Sequence, residues 1–460
     1  MFRVDAGLSP RYCDGMKRRS FVQLGIAGMA NVGLSRLLQA KENSAALTGE
    51  KKKTSVILVW LDGGPGHLDT YDMKPEAPAE YRGIWNPIPT NVPGFEITEL
   101  FPKQAQVADK FSVVRSLSHG TGDHFAGAHR MLTTKEFNVS GAASETKFPS
   151  LGAIASKYLG ARQPGMPAYV AVPYASSVGL NPGYFAGHML GPQYDPFATG
   201  GDPNAPNFAV QNLNLASGLS VARLDDRRSL RGHFDRISRD ADRTQLFSAM
   251  DKFDQEAFEF VSGPAARKAF DLSQEPEELR VRYGRDSWGQ SVLLARRLVE
   301  AGTTFVTVHF GGWDHHWDLK SGMESYLPRV DAAMATLFTD LSERGLWDST
   351  LVMLCGEFSR TPRMNDGGNG GPPLSKGTPG RDHWGAAVFC LLGGGGIKGG
   401  QIVGSTDRLG MVPATRALTP SNLHATIYRV LGLDPSLHLI DPTGRPVPVL
   451  EDQEPIHELL

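Results

Sequence analysis

The stretch Thr54-Ser55-Val56-Ile57-Leu58-Val59-Trp60-Leu61-Asp62-Gly63-Gly64-Pro65-Gly66-His67 decides how the chain reads. A continuous apolar run with β-branched residues, stopped by glycines, is the pattern of a strand buried on both faces of a parallel sheet. In open α/β sheets the ligand site lies beyond the carboxyl ends of the strands. Asp62 arrives there beside glycines that admit other groups, so it is well placed to hold a metal. Asp-Gly-Gly is also ordinary turn chemistry, and on this stretch alone the two readings stand side by side.

A chain of 460 residues can bury a large core. A formal net charge of -2 carries no polyanion-binding signature, which argues against nucleic acid as a partner. Of the three cysteines, Cys13 lies near the N-terminus, while Cys355 and Cys390 sit in apolar runs that read as buried strands. Neither a disulfide framework nor a cysteine metal site follows.

Lys17-Arg18-Arg19-Ser20-Phe21-Val22 precedes a mildly apolar stretch from Gln23 to Leu38 and a charged, Ala-rich segment from Ala40 to Lys53. That is the pattern of a twin-arginine export signal, with a basic helix opening the domain as the alternative. The division expected is signal and linker over 1–50 and a single domain over 51–460. Export through the twin-arginine machinery would deliver a folded protein to the periplasm or the extracellular space. No other apolar stretch is long enough to span a bilayer, so no integral membrane segment is expected in the mature chain.

Further along, Pro102 to Lys110 reads as a short helix, Phe111 to Arg115 as a strand, and the segment from His124 through Leu132 as a helix capped by Asp123. Lys147 to Leu159 reads as a helix and Pro167 to Pro173 as a strand. Residues 176–225 begin with a shift to Gly, Pro, Asn and aromatics that is too long for a routine connection, so they read as a lid or insertion. Helical patterns dominate from Leu224 to Val299; then come a strand from Thr303 to Phe310, a long helix from Glu324 to Gly345, and a strand from Ser349 to Cys355. A loop from Asn365 to Gly380, a strand from Ala386 to Leu392 and a helix from Ser421 to Leu431 complete the chain. The repeated order of strand, loop and helix implies an α/β fold with a doubly wound, mostly parallel sheet flanked by helices. The Gly-rich loops at Gly367 and Gly393 lack a following Lys-Ser/Thr, so a Walker-type nucleotide site is not supported.

Chemistry-bearing residues gather in loops at the strand ends. They are Asp62 with His67; His119, Asp123 and His124; Asp314, His315, His316 and Asp318; and Glu357 with Asp382 and His383. Of the 13 histidines, His67, His119, His124, His129, His315, His316 and His383 fall in or beside these loops. Mixed carboxylate and imidazole ligands suit zinc or a comparable divalent ion, and two ions could share so many. The plainer reading of each loop is a packed histidine or a structural ion pair, such as Glu357 with Arg360. Arg360 and Arg381 read as anion clamps or as neutralisers of neighbouring carboxylates. The helix starting at His124 points its positive end at the loop before it, where an anion is the natural guest.

The order from Asp62 through His124, Trp313-Asp314-His315-His316, Glu357 and Asp382-His383 resembles the alkaline phosphatase and sulfatase superfamily. More closely, the twin-arginine leader with Gly356-Glu357-Phe358-Ser359-Arg360-Thr361-Pro362 and Gly380-Arg381-Asp382-His383-Trp384 looks like an exported, sulfatase-like family common in planctomycetes and catalogued as a domain of unknown function. The resemblance spans nearly the whole chain. It implies an alkaline-phosphatase-like three-layer sandwich and a metal-dependent hydrolase of sulfate or phosphate esters. A small anionic ester or a sulfated or phosphorylated glycan would be the substrate, and one or two ions of zinc, calcium or manganese the cofactor. Asp62 and Glu357 would belong to one metal site and Asp314, His316 and His383 to a second, with Asp318 or Asp382 as substitutes.

The departure from that family concerns the nucleophile. No Cys/Ser-x-Pro-x-Arg motif occurs, since Ser262-Gly263-Pro264-Ala265-Ala266 lacks the arginine. At the helix start before Met131-Leu132-Thr133-Thr134, where such families carry the nucleophile, this chain has His124, so a formylglycine mechanism is not expected. Attack would come from Thr121, from His124 or from metal-activated water, the last being expected because it needs no further activation. His124 would then be a ligand or an acid toward the leaving group, with a purely capping role as the alternative. The other functional class is a catalytically inactive module that binds anionic polysaccharide.

Overall fold

Alternate side chains of Ser55–Asp62 leave the strand on opposite sides, as a two-residue repeat requires. Ile57, Val59 and Leu61 enter one apolar cluster and Val56, Leu58 and Trp60 the other, and none is more than 2% exposed. The strand is therefore covered on both faces, and its unbroken apolar run is the cause. The structure is a computed structural model that describes residues 54–136, 148–210, 259–260, 263–366 and 378–460. The expected leader, residues 211–225 of the expected insertion, and the Gly-rich loop at Gly367 lie outside the described residues.

The main sheet contains β1 (Ser55–Asp62), β2 (Phe111–Leu117), β3 (Tyr169–Val172), β4 (Phe197–Ala198), β5 (Phe305–Gly311), β6 (Thr350–Cys355), β7 (Val388–Gly394) and β8 (Ile402–Val403). Across the sheet the order is β8-β2-β7-β6-β1-β5-β3-β4. Every neighbouring pair is parallel except the two made by β7, which runs against both β2 and β6. The carboxyl ends of β1, β2, β5 and β6 thus share one edge. The segment before β7 reaches the same edge because that strand is reversed.

Helices α1 (His124–Thr133), α2 (Leu151–Leu159) and α5 (Pro420–Leu431) pack on the face that holds Val56, and α3 (Ser287–Glu300) and α4 (Leu319–Glu343) on the face that holds Ile57. The doubly wound, three-layer α/β arrangement expected from the sequence is the one observed.

The strand ends shift by about two residues, and three helices depart further from expectation. The long helix begins at Leu319 instead of Glu324, because Leu319 and Met323 are spaced to bury together and do so fully, overriding Gly322 and Pro328. The helix expected over Pro102 to Lys110 is broken into Pro102–Ala105 and a single 3-10 turn, Ala108–Lys110; the amides of Lys103 and Gln104 donate to the Asp331 carboxylate on α4. The helix expected from Lys147 starts at Leu151, where the Ser150 hydroxyl accepts from the Ala153 amide. Within the Gly/Pro-rich segment the described part forms short 3-10 turns and the edge strand β4.

Leu58 is 1% exposed in the densest part of this packing. Leu58→Ala should destabilise the protein by about 2–5 kcal/mol, read as a lower urea midpoint with an unchanged slope.

Candidate metal centre

The first turn after β1 gathers three segments around one peptide group. The Gly63 amide donates to both oxygens of Glu357, at 2.9 and 3.1 Å. Gly63 has φ 111°, and a Cβ there would stand 2.7 Å from the Asp314 nitrogen, so only glycine permits the approach. Asp62, the last residue of β1, does not pair with Glu357; it accepts from the Val178 amide at 3.0 and 3.2 Å, and its Oδ2 lies 3.2 Å from His309 Nε2. The two carboxylates flank Gly63, close enough that Asp62 helps to raise the Glu357 pKa.

Glu357 has no solvent exposure, and burial is the main force pushing its pKa up, with Asp62 adding to it and the hydrogen bond from His124 opposing it. His124 opens α1, whose N-cap Asp123 accepts from the Ala126 amide. Its Nδ1 lies 2.7 Å from Glu357 Oε1 and its Nε2 lies 3.4 Å from Asp314 Oδ2. Burial works against protonation of this imidazole, but the bonds to Asp314 and Glu357 win and push it up to about 9. At neutral pH it is therefore an imidazolium donating from both nitrogens. Burial alone would raise Asp314, yet its contacts with His124, His383 and Arg360 hold it well below the usual carboxylate range.

A second group meets on the other side of Asp314. His383 Nδ1 donates to the Gly122 carbonyl at 2.8 Å, and His316 Nδ1 lies 2.7 Å from Asp382 Oδ1. Each of these bonds places a ring proton on Nδ1, which in the neutral form leaves Nε2 as the electron-pair donor. The two Nε2 atoms face one another at 2.9 Å, and Asp314 Oδ1 stands 3.0 Å from that of His316 and 3.1 Å from that of His383. Burial lowers the His383 pKa, which favours the neutral ring. Three electron-pair donors thus converge with their outer nitrogens held by a carboxylate and a carbonyl, the arrangement that prepares imidazoles for a cation. His124, Asp314 and His383 also offer ligand atoms that all lie within 4.8 Å of one another.

Arg360 and Arg381 are both fully buried. Arg360 donates to the carbonyls of Gly63 and Gly64 and, at 2.7 Å, to Asp314 Oδ1. Arg381 pairs with Asp69 at 2.9 Å and donates to the Thr361, Pro362 and Arg82 carbonyls. Both guanidinium groups are turned toward the protein's own acceptors. Thr121 lies in the loop before α1, its hydroxyl accepting from the Asp123 amide at 3.2 Å. His119 Nε2 donates to the Glu357 carbonyl at 2.7 Å, and burial lowers its pKa to about 4. Asp318, with φ 50°, starts α4. Other histidines of the sequence cluster do structural work: His67 bonds Ser359 and the Gly410 carbonyl, and His129 the Lys135 carbonyl.

His309 is the residue that sequence reasoning passed over. It lies inside an apolar strand, but its register partner is Trp60, two steps from the pairing of Asp62 with Gly311. A histidine two places before the carboxyl end of a buried strand, beside the strand that carries Asp62, was the available signal.

Comparison with curated proteins finds no match. Among solved structures the chain is similar to Ps i-CgsB, crystallised with k-i-k-neocarrahexaose, at 12% identity over 83% of this chain and 72% of that one, with a TM-score of 0.37. It is similar to the PsFucS1 sulfatase from Pseudoalteromonas sp. at 14% identity over 88% and 71%, TM-score 0.34. For the alkaline phosphatase of the Antarctic bacterium TAB5 the identity is 14% over 75% and 91%, TM-score 0.35. A family model matches residues 53–460, and by that match the chain belongs to DUF1501, described as a protein of unknown function.

Proposed function

We propose that the protein is a metal-dependent hydrolase of sulfate or phosphate esters that works without formylglycine. The observation that carries this reading is the convergence of His316 Nε2, His383 Nε2 and Asp314 Oδ1 at 2.9–3.1 Å. Those residues would hold the divalent cation, with Asp382 and the Gly122 carbonyl orienting the two rings. Two imidazoles favour zinc or manganese over calcium, which prefers oxygen ligands. Asp62 and Glu357, across Gly63, are the ligands for a second ion if one is taken up. When bound, a divalent ion supplies Lewis acidity and brings the pKa of a water to about 7.

The chain's own residues do the rest. His124 holds a proton between Glu357 and Asp314 and is the group that would give it to the leaving oxygen. Arg360 acts as a positioning residue, fixing Asp314 from below. The α1 amino terminus favours the ester's negative oxygens. The alternative, a module that binds anionic polysaccharide without turnover, draws on the histidine at the helix start where a nucleophile would be expected. We further propose that residues 1–50 are a twin-arginine export signal and linker, that 51–460 form one domain with a lid or insertion at 176–225, and that the protein works in the periplasm or outside the cell. Among the described residues no helix is long and apolar enough to cross a membrane.

Two measurements test the site. With sulfate and phosphate esters assayed under several metals, His316→Ala and Asp314→Asn should lose both metal and turnover. His124→Gln should keep metal, by elemental analysis, and lose roughly a hundredfold or more in kcat, whereas Thr121→Val should keep both. Turnover abolished by Thr121→Val but not by His124→Gln would instead establish a threonine nucleophile; ligand uptake with no turnover in the wild type would establish the binding module.

The second measurement follows from the pKa of His124. Its folded value of about 9 lies above the unfolded 6.5, so its contribution is full below pH 6.5 and is lost as pH rises through 9. Metal-free protein should therefore lose up to about 3 kcal/mol of stability across that window. In denaturant titrations at a series of pH values, the His124→Gln variant should lack this decline, and the difference between the two proteins isolates the imidazolium.

A further inference from the structure

The loop after β3 is tied to the site in a way the hydrolytic chemistry does not require. Ser177 and Leu180 exchange backbone hydrogen bonds at 3.1 and 2.9 Å, closing a two-residue turn at Val178 and Gly179, with φ 53° and 81°. Positive φ at both central positions is the type I′ form that Asn-Gly adopts readily and a β-branched residue resists. The Val178 amide is the group that donates to both oxygens of Asp62. Strain of this kind persists where surrounding contacts impose it, and here the imposing contact is a site carboxylate.

What this latched loop presents is Tyr174. Among the described residues only Tyr174, Val281 and Val412 are large hydrophobics with substantial exposure, and Tyr174 is 39% exposed. Its ring lies 4.9 Å from the His309 ring, centroid to centroid, at a tilt of 41°. His309 in turn reaches Asp62. An uncovered aromatic face is thereby held one imidazole away from a carboxylate of the site.

We propose that Tyr174 is a stacking platform for a sugar ring, so that the ester handled at the site is carried on a glycan. This rests on the hydrolase reading and deepens it. Tyrosine suits the role because its ring offers a rigid apolar face at the cost of only two side-chain torsions, while its hydroxyl stays wet. A pyranose presents a matching face of C–H bonds. A ring lying on Tyr174 would direct a substituent past His309 toward Asp62, whereas an acyclic ester would leave the platform bare.

The test compares wild type, Tyr174→Phe and Tyr174→Ala, all metal-loaded. KM and kcat are measured for glucose 6-sulfate and glucose 6-phosphate against ethyl sulfate and glycerol 3-phosphate, and the affinities of desulfated carrageenan and heparin hexasaccharides are measured in parallel. Tyr174→Ala should raise KM for the sugar esters roughly tenfold more than for the acyclic ones, with the effect in KM and not kcat, and Tyr174→Phe should restore it. Equal changes for both ester classes, or none, would overturn the platform. If the wild type hydrolyses no ester, the hydrolase reading fails and hexasaccharide affinity decides the rest: a roughly tenfold loss in Tyr174→Ala sustains the platform, and unchanged or absent binding overturns it.

Discussion

A carboxylate without solvent contact must be matched by donors, or burying it costs several kcal/mol. Glu357 is such a group, and its partners determine much of what surrounds it. The Gly63 amide fixes the turn after β1, and the His124 imidazolium fixes the start of α1. The carbonyl of the same residue accepts a hydrogen bond from His119 Nε2, which pins the loop after β2. Elements separated in sequence by up to 294 positions are thus held in common by one residue. Asp314, bonded by His124 on one side and Arg360 on the other, extends the same network to the histidine pair.

The sheet, and the gathering of the candidate residues at one of its edges, were legible because both follow from periodicity. An unbroken apolar run ending in Asp-Gly-Gly can be satisfied only at the centre of a covered sheet, and β1 is there. The convergence of Asp62, His124, Asp314, His316, Glu357, Asp382 and His383 on one edge follows from strand direction, with one element that periodicity does not encode: β7 is antiparallel. Asp382 and His383 precede their strand, so only its reversal brings them to the carboxyl ends of the others. Which residues touch was much less legible. The resemblance placed Asp62 with Glu357 at one metal site, and it gave no sign that hydrogen bonds join Asp62 to His309 and Val178. Those partners are set by register and by a turn of unfavourable φ, which residue types do not reveal. His67 and His129 sit in the right neighbourhoods, yet bonds to Ser359, Gly410 and Lys135 occupy them. A histidine's role depends on which way its ring turns.

The histidine pair also illustrates how orientation makes chemistry. With both outer protons on Nδ1, Nε2 lone pairs 2.9 Å apart would repel unless a proton or a cation lay between them. Gly122 and Asp382 prevent the rings from relieving this by exchanging tautomers, because each holds the outer proton. The protein's investment is in these outer contacts, and a substitution at Asp382 would act through ring orientation even though the carboxylate is a poorer ligand candidate than Asp314.

The position of β1 has a consequence for how the protein is made. Its sheet neighbours are β5 and β6, so the central strand emerges from the ribosome before either partner exists. At roughly 5–20 residues per second the wait is on the order of tens of seconds. Throughout it, Val56 to Leu61 form a flat, uncharged, β-branched segment with two bare edges, the kind of segment that recruits strands from other chains. One edge stays bare until β5 has been added and the other until β6, and Asp314, His316 and His383 cannot gather before His383 has been made. The gathering of those three side chains is consequently a late event, because β7, which follows His383, must still pair between β2 and β6 to hold it at the shared edge.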